Sequence, residues 1–315
     1  MIALYYMKNG NKNVKALVLL SGGLDSILAV KLLMDQDIDV EGICFYSNFF
    51  GCDFARKAAA GLGIKLREID ISEEFLNFLK EKPKHGYGVG LNPCIDCHAL
   101  MIRKAGEIMR AERFSFAATG EVLNERPMSQ NKQALKIVEK EAGLEGFLLR
   151  PLSAKLIEPT IAEKEGLVDR EKLLDISGRS RKKQFELAGK FGISDFPTPA
   201  GGCMLTQEGF VNRLKELMKN KADFNSEDVE LAKIGRHFWE GKIQIILGRN
   251  KEENEKLAKL AGESDIIIEP DGFIGPTALV RDNADETIIN KTKELIIKYS
   301  PKAKEIKNEL KFITK

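Results

Sequence analysis

No apolar stretch in this chain approaches the about 20 residues that a membrane-spanning helix needs; the run Ala16 to Leu20 has five. The N-terminus lacks a basic head followed by an apolar segment and a small-residue cleavage site, so export is not expected and a cytoplasmic location is. Cysteine is scarce, five among 315 residues. That excludes a disulfide scaffold and leaves core filling, metal binding or catalysis. There is no internal repeat and no low-complexity segment. Net charge is almost absent as well: 49 Lys plus Arg against 47 Asp plus Glu give +2. Taken alone, that balance argues against a nucleic-acid partner, but an average hides where the charges sit. What the chain does have is 43% apolar and 30% charged residues, which excludes wholesale disorder. Its length exceeds one core of usual size and predicts one large and one small domain.

Short apolar runs alternate with amphipathic stretches over the first two hundred residues. Strands are predicted at Ala16–Leu20, Val40–Tyr46, Ile64–Ile71 and Phe114–Thr119, with a short fifth at Phe147–Leu149. Helices are predicted at Asp25–Met34, Phe54–Leu62, Glu73–Lys80 and Ile95–Met109. Pro83 to Pro93 holds three glycines and two prolines and reads as an exposed loop. Such alternation implies an α/β fold, a doubly wound parallel sheet covered on both faces. Phe196 to Gly202 interrupts the pattern as a boundary or active-site loop. Helices at Thr206–Lys219 and Ser226–Gly235 follow, then a smaller α+β pattern. Its strands are expected at Lys242–Leu247, Asp265–Glu269 and Ala278–Arg281, with a helix at Lys251–Ala261. From Thr287 a basic amphipathic helix and tail are expected. The implied domains are 1–204, a helical linker 205–235, and 236–315.

Ser21-Gly22-Gly23-Leu24-Asp25-Ser26 joins the first strand to the first helix. In an α/β sheet, ligands bind beyond the carboxyl ends of the strands. Glycines let backbone N–H groups approach an anion, and the helix adds its unsatisfied N–H groups. Ser21 and Ser26 offer hydroxyls, and Asp25 can hold Mg²⁺ against phosphate oxygens. A plain serine-glycine turn with a helix cap is the alternative. The hexapeptide resembles the S-G-G-x-D-S signature of PP-loop (adenine nucleotide α-hydrolase) ATPases. That resemblance implies ATP cleavage between the α and β phosphates and an adenylated substrate.

Cys94 and Cys97 stand in Asn92-Pro93-Cys94-Ile95-Asp96-Cys97-His98, and Cys203 follows far downstream in Pro199-Ala-Gly-Gly-Cys203. A helix N-terminus is expected to lower a thiol pKa there. The Cys-x-x-Cys-His spacing is formally a haem attachment pattern, which lacks the export signal it would need. Structural zinc on Cys94, Cys97, Cys203 and His98 and a redox dithiol both remain open. Cys44, inside a strand, reads as core filling, and Cys52 stays unassigned. The stretch resembles the N-P-D-x-x-C-N motif of tRNA 2-thiouridylases, with Cys94 in place of the aspartate and His98 in place of the last asparagine. It resembles more the thiouridine synthases that hold a 4Fe–4S cluster on C-x-x-C and a distant third cysteine. By that resemblance Cys94, Cys97 and Cys203 are catalytic, with Asp25, and carry a 4Fe–4S cluster; a persulfide pair is the other reading. Thr119-Gly120-Glu121 with Ser129-Gln130, and Arg150-Pro151-Leu152, are similar to segments of the 4-thiouridine synthase PP-loop domain. They imply nucleotide contacts at Gly120 and Glu121, alongside Ser21, Gly22, Gly23, Asp25 and Ser26.

Local charge reverses the impression given by the average. Arg179, Arg181, Lys182 and Lys183 put four cations in five residues, and Lys291 to Lys315 holds eight lysines and three glutamates. Such runs are often only solvated faces, but they can also neutralise phosphates. Leu247-Gly-Arg-Asn-Lys-Glu-Glu-Asn254 reads as a strand end and capped helix start, with Asn250 as N-cap. It also resembles the NFACT-R family of RNA-binding domains, with Arg249 the first candidate contact. Together these features predict an ATP-dependent tRNA sulfurtransferase that uses ATP, Mg²⁺ and a cluster. Its partners would be tRNA and either sulfide or a sulfur-carrier protein, with no membrane. A PP-loop amidating synthetase and an ATP-gated RNA-binding module without catalysis are the alternatives. The modified uridine and the oligomeric state, a homodimer included, stay open.

Overall fold

The computed structural model describes residues 14–197, 203–282, 284–301, 303 and 310–315. The loop residues 198–202 and the tail lysines Lys302, Lys304 and Lys307 lie outside the described residues. The chain divides into two compact units, 1–206 and 207–315. Among the described residues no helix is long and apolar enough to cross a membrane.

Unit one begins with β1 (Lys15–Leu19), α1 (Leu24–Met34), β2 (Asp39–Tyr46), α2 (Asp53–Leu62), β3 (Lys65–Asp70) and α3 (Ser72–Glu81). It continues with α4 (Cys94–Ala111), β4 (Phe116–Thr119), α5 (Lys132–Ala142), β5 (Leu148–Leu149), a one-turn α6 (Ile161–Lys164) and α7 (Lys182–Phe191). The strands form a parallel sheet in the order β3-β2-β1-β4-β5. Ala16, Leu17 and Val18 have no exposed surface, which is why β1 reads as an unbroken apolar run rather than an alternating one. The sheet grows from β1 to β3 on one side and then restarts at β4 on the other. The switch point therefore falls between the carboxyl ends of β1 and β4, where such sheets open a ligand crevice.

Cys44 of β2 is disulfide-bonded to Cys52, the residue before α2, with Cα atoms 6.0 Å apart. Core filling at Cys44 is therefore only part of its role: both cysteines are buried in the main core, joined to each other. Helix α5, absent from the sequence expectation, starts at Asn131, whose side chain accepts from Ala134 N.

Unit two holds α8 (Glu208–Asn220), α9 (Ser226–Ala232), β6 (Arg236–Glu240), β7 (Ile243–Leu247), α10 (Lys251–Leu260), β8 (Ile266–Asp271), β9 (Ala278–Val280), α11 (Glu286–Tyr299) and β10 (Lys311–Thr314). Its sheet is antiparallel, in the order β10-β8-β9-β7-β6. Ile245 and Leu247 feed the core shared with Ile296 of α11, while Ile246 between them feeds the core shared with Leu257 of α10. Both faces are thus covered, and the period-two alternation shows as a division between two cores rather than between core and water. Two details depart from expectation. Arg236–Glu240 forms an unanticipated strand, and Lys311–Thr314 of the expected helical tail pairs with β8.

Candidate active site

The loop Ser21–Ser26 leaves β1 at the switch point and is fixed there by two close backbone approaches. Gly22 has φ +78°, and a Cβ on it would lie 2.2 Å from the carbonyl carbon of Phe54 at the start of α2. A Cβ on Gly120, just after β4, would lie 2.5 Å from Ser26 N. No larger residue fits either position without displacing backbone. Within the loop, Ser26 Oγ donates to Gly23 O at 2.8 Å, and Gly23 N donates to Ser21 Oγ at 3.3 Å. Gly23 caps α1, an eleven-residue helix, without any side-chain bond, an arrangement by which a helix start can receive an anion.

Asp25 sits in this first turn. Arg181 Nη2 donates to its Oδ2 at 3.4 Å, while Oδ1 is buried without a partner among the described residues. Burial pushes the Asp25 carboxyl up, against the opposing pull of Arg181, Gln184 and Arg126. Glu125 is likewise raised, first by burial and then by the charge of Asp25. Two neighbouring carboxylates, one with an orphaned oxygen, are a donor set suited to a hard divalent cation. Mg²⁺ commonly takes one or two carboxylates together with substrate phosphates, so these residues fit a metal that arrives with a nucleotide.

Glu121 is placed differently from a nucleotide contact. Both its oxygens are taken inside the protein: Oε1 by His98 Nδ1 at 2.8 Å, and Oε2 by Arg150 Nε at 2.9 Å and Thr119 Oγ1 at 3.1 Å. Burial alone would raise its pKa, but the charge of Arg150 and the bond from His98 hold it at about 2. Arg150 has no exposed surface and also pairs with Glu139. Glu121 thus ties the start of α4 to the end of β4. Gln130 is buried too, accepting from Arg126 N at 3.2 Å.

Cys94 opens α4 and Cys97 lies one turn on, where its N–H donates to Pro93 O at 2.8 Å. The preceding glycine-rich loop is held by Asp96, which accepts from His85 N, and by Gly88 N donating to Asn92 O. Met204 N donates to Phe49 O, and Leu91 N donates to Leu205 O, bringing Cys203 to the same place. The three thiols feel one another. Burial pushes Cys97 well up, and Cys203 and Cys94 push it further. Burial likewise raises Cys94, and it raises Cys203 to about 11. The expected lowering at a helix N-terminus is therefore reversed: desolvation outweighs the dipole. Arg126 opposes the rise at both Cys94 and Cys203, and it also acts on Asp25 and Glu125. Its charge is thus felt at Asp25 and at two of the thiols, and no motif in the sequence marked it.

As placed, the cysteines do not form a metal centre. Among the described residues no three His, Cys, Asp or Glu side chains come together as ligands. The cation run also divides: Arg179, Lys182 and Lys183 are exposed, whereas Arg181 turns inward to Asp25. In unit two, Arg249 Nε donates to Glu253 Oε1 at 2.9 Å, and Glu253 N donates to Asn250 Oδ1 at 2.9 Å. Gly248 is required there, because a Cβ would lie 2.0 Å from Asn254 Oδ1, which accepts from Thr277 N. The G-R-N-x-x-x-N motif is thus a strand-to-helix junction whose cation is already paired.

Two protein families match this architecture. Residues 14–162 match the tRNA methyl transferase HUP domain, and residues 235–314 match the NFACT protein RNA binding domain. The tRNA-specific 2-thiouridylase MnmA of Ruthia magnifica subsp. Calyptogena magnifica is 37% identical over 109 residues, 29% of this chain and 29% of that protein. The Haemophilus ducreyi protein of the same name is 26% identical over 262 residues, 76% of this chain and 63% of its own. The chain thus spans less than two thirds of either relative's length. A solved structure described as a predicted subunit of tRNA methyltransferase, from Methanocaldococcus jannaschii, aligns over 68% of this chain and 91% of its own, with 16% identity and a TM-score of 0.39. Over residues 14–162 the chain is thus similar to the tRNA methyl transferase HUP domain, and over residues 235–314 to the NFACT protein RNA binding domain.

Proposed function

We propose that this protein is an ATP-dependent tRNA-thiolating enzyme. What supports the reading is that the charge of Arg126 is felt both by Asp25 of the loop and by Cys94 and Cys203, with Cys97 feeling both of those thiols. Matches to a tRNA-modifying domain, to an RNA-binding domain and to relatives named 2-thiouridylase support the substrate class.

In this reading the loop Ser21–Ser26 and the first turn of α1 bind the phosphates of ATP, and Asp25, with Glu125 beside it, would hold Mg²⁺. The metal would supply charge neutralisation on phosphate oxygens. A uracil carbonyl oxygen attacks the α phosphate and pyrophosphate leaves, so the oxygen departs later as part of AMP. Hydrosulfide supplied from outside the chain then attacks the activated carbon. In this reading Cys94, Cys97 and Cys203 would guide that hydrosulfide to the activated carbon, with burial keeping them as thiols. No step is assigned to an iron–sulfur cluster, since the thiols as placed form no ligand group. Residues 236–315, with Arg249, would hold RNA backbone, and in unit one the exposed Arg179, Lys182 and Lys183 would do so separately.

Pyrophosphate release measured with and without tRNA tests the reading, together with mass analysis of the tRNA nucleosides. Release that depends on tRNA and yields a thiouridine is expected. RNA binding without release would replace it with an ATP-gated binding module. Cys203→Ala is expected to abolish thiolation while sparing ATP binding. About four irons per chain after anaerobic purification would restore the cluster; colourless protein that still thiolates would remove it.

A further inference from the structure

Arg181 does not behave as one cation of a solvated run. Gly178 N donates to Leu123 O at 2.8 Å, and Ser177 forms a parallel bridge with Leu123, so the chain is led alongside the loop that follows β4. α7 then starts at Lys182 and points Arg181 into the crevice, with its guanidinium 5.6 Å from the Phe185 ring centroid. Its grip there is slack. The hydrogen bond to Asp25 is 3.4 Å long, the approach of Nε to Glu125 Oε1 is 3.8 Å, and Nε and Nη1 are buried with no hydrogen-bond partner among the described residues. Gln184, one turn on, has no exposed surface and lies close enough to draw the Asp25 pKa down, yet neither of its amide atoms makes a hydrogen bond of full geometry. With Asp25 Oδ1, five buried polar atoms around the phosphate loop lack partners. Buried polar atoms are rarely left so, and several at one spot are what a polar ligand site looks like.

The chemistry of that ligand follows from the donors. A guanidinium offers a planar fork of N–H groups that matches phosphate oxygens two at a time. Its neighbours are the free N–H groups at the start of α1, which also select an anion. We propose that Arg181 is a phosphate ligand of the nucleotide, delivered from outside the loop motif and steadied by Gln184. In this structure the guanidinium rests between Asp25 and Glu125. When nucleotide binds, it exchanges these carboxylates for phosphate oxygens and leaves them to the accompanying cation. The proposal rests on reading Ser21–Ser26 as a nucleotide site, and it moves Arg181 from the RNA-facing set to the nucleotide-facing one.

Equilibrium binding to the full chain tests it, with Mg·ATP and adenosine as separate ligands and tRNA in the absence of nucleotide as a third. Arg181→Ala is expected to weaken Mg·ATP about 10- to 100-fold, the range for losing charge-assisted hydrogen bonds, with adenosine and tRNA unchanged. Arg181→Lys keeps the charge beside Asp25 but not the fork. It is expected to melt as wild type does and still lose part of the Mg·ATP affinity, which separates ligand loss from misfolding. Wild-type Mg·ATP affinity in both variants would overturn the proposal, as would a loss confined to tRNA. Wild-type protein that binds no Mg·ATP would overturn the nucleotide reading itself; intact wild-type binding with indifferent variants would overturn only the role of Arg181.

Discussion

Arg150→Met removes the cation on which the floor of the crevice depends. Arg150 has no exposed surface, and it pairs with Glu121 and Glu139. Removing one partner of a buried pair strands the other and costs ~3–5 kcal/mol. The pKa of Glu121 gives an independent measure. Each tenfold displacement of a proton equilibrium is worth ~1.4 kcal/mol, so a carboxyl held at about 2 against an ordinary 4.5 contributes ~3 kcal/mol. Because the folded pKa is depressed, that contribution is fully present above pH 4.5 and is lost as pH falls towards 2. At neutral pH the variant should therefore melt roughly 10 °C below wild type by far-UV circular dichroism, given ~2–4 °C per kcal/mol for a unit this size. Fluorescence of Trp239, the chain's only tryptophan, reports the other unit and should be unmoved. Arg150→Met combined with Glu121→Gln should recover part of the loss and lose less stability than wild type between pH 4.5 and 2. A single variant melting within about 2 °C of wild type, or a double variant showing the undiminished acid loss, would refute the reasoning.

Three further outcomes follow from other parts of the molecule. Thiol titration of denatured, unreduced protein should count three free cysteines and, after reduction, five, because Cys44 and Cys52 are joined; five before reduction would contradict the pairing. Cys52→Ser should lower stability by ~2–3 kcal/mol, the chain-entropy value for so short a loop, measured by urea unfolding without reductant. Gly248→Ala should destabilise unit two by ~1–3 kcal/mol through overpacking against Asn254, seen as an earlier Trp239 transition.

The sheet of unit one was legible because β1, β2 and β4 are apolar runs set between helices, and burial on both faces is what such runs encode. Helix α5 was equally available, since Asn131 caps it and Gly143 ends it left-handed, although the sequence expectation does not include it. Strand β6 was harder: all five of its residues are half-buried, so Arg236 to Glu240 shows no clean alternation. In the site, the phosphate loop and the cysteines announced themselves by residue type and spacing. Arg126 and Gln184 did not, because their importance comes from neighbours far away in sequence. The thiol pKa values were misjudged for the same reason. A helix N-terminus is visible in sequence, whereas the burial that outweighs it at Cys97 is a property of the assembled crevice.

Gly22, inside the Ser21–Ser26 loop, lies against the backbone of Phe54 and Ala55, and Gly120 lies against the loop's own backbone at Asp25 and Ser26. Neither obstacle is a side chain that a second substitution could trim. In any library of variants these two positions should stay invariant independently, with no compensating partner for either. A loop held by backbone at both glycines is a fixed gauge, and its width cannot drift by small steps.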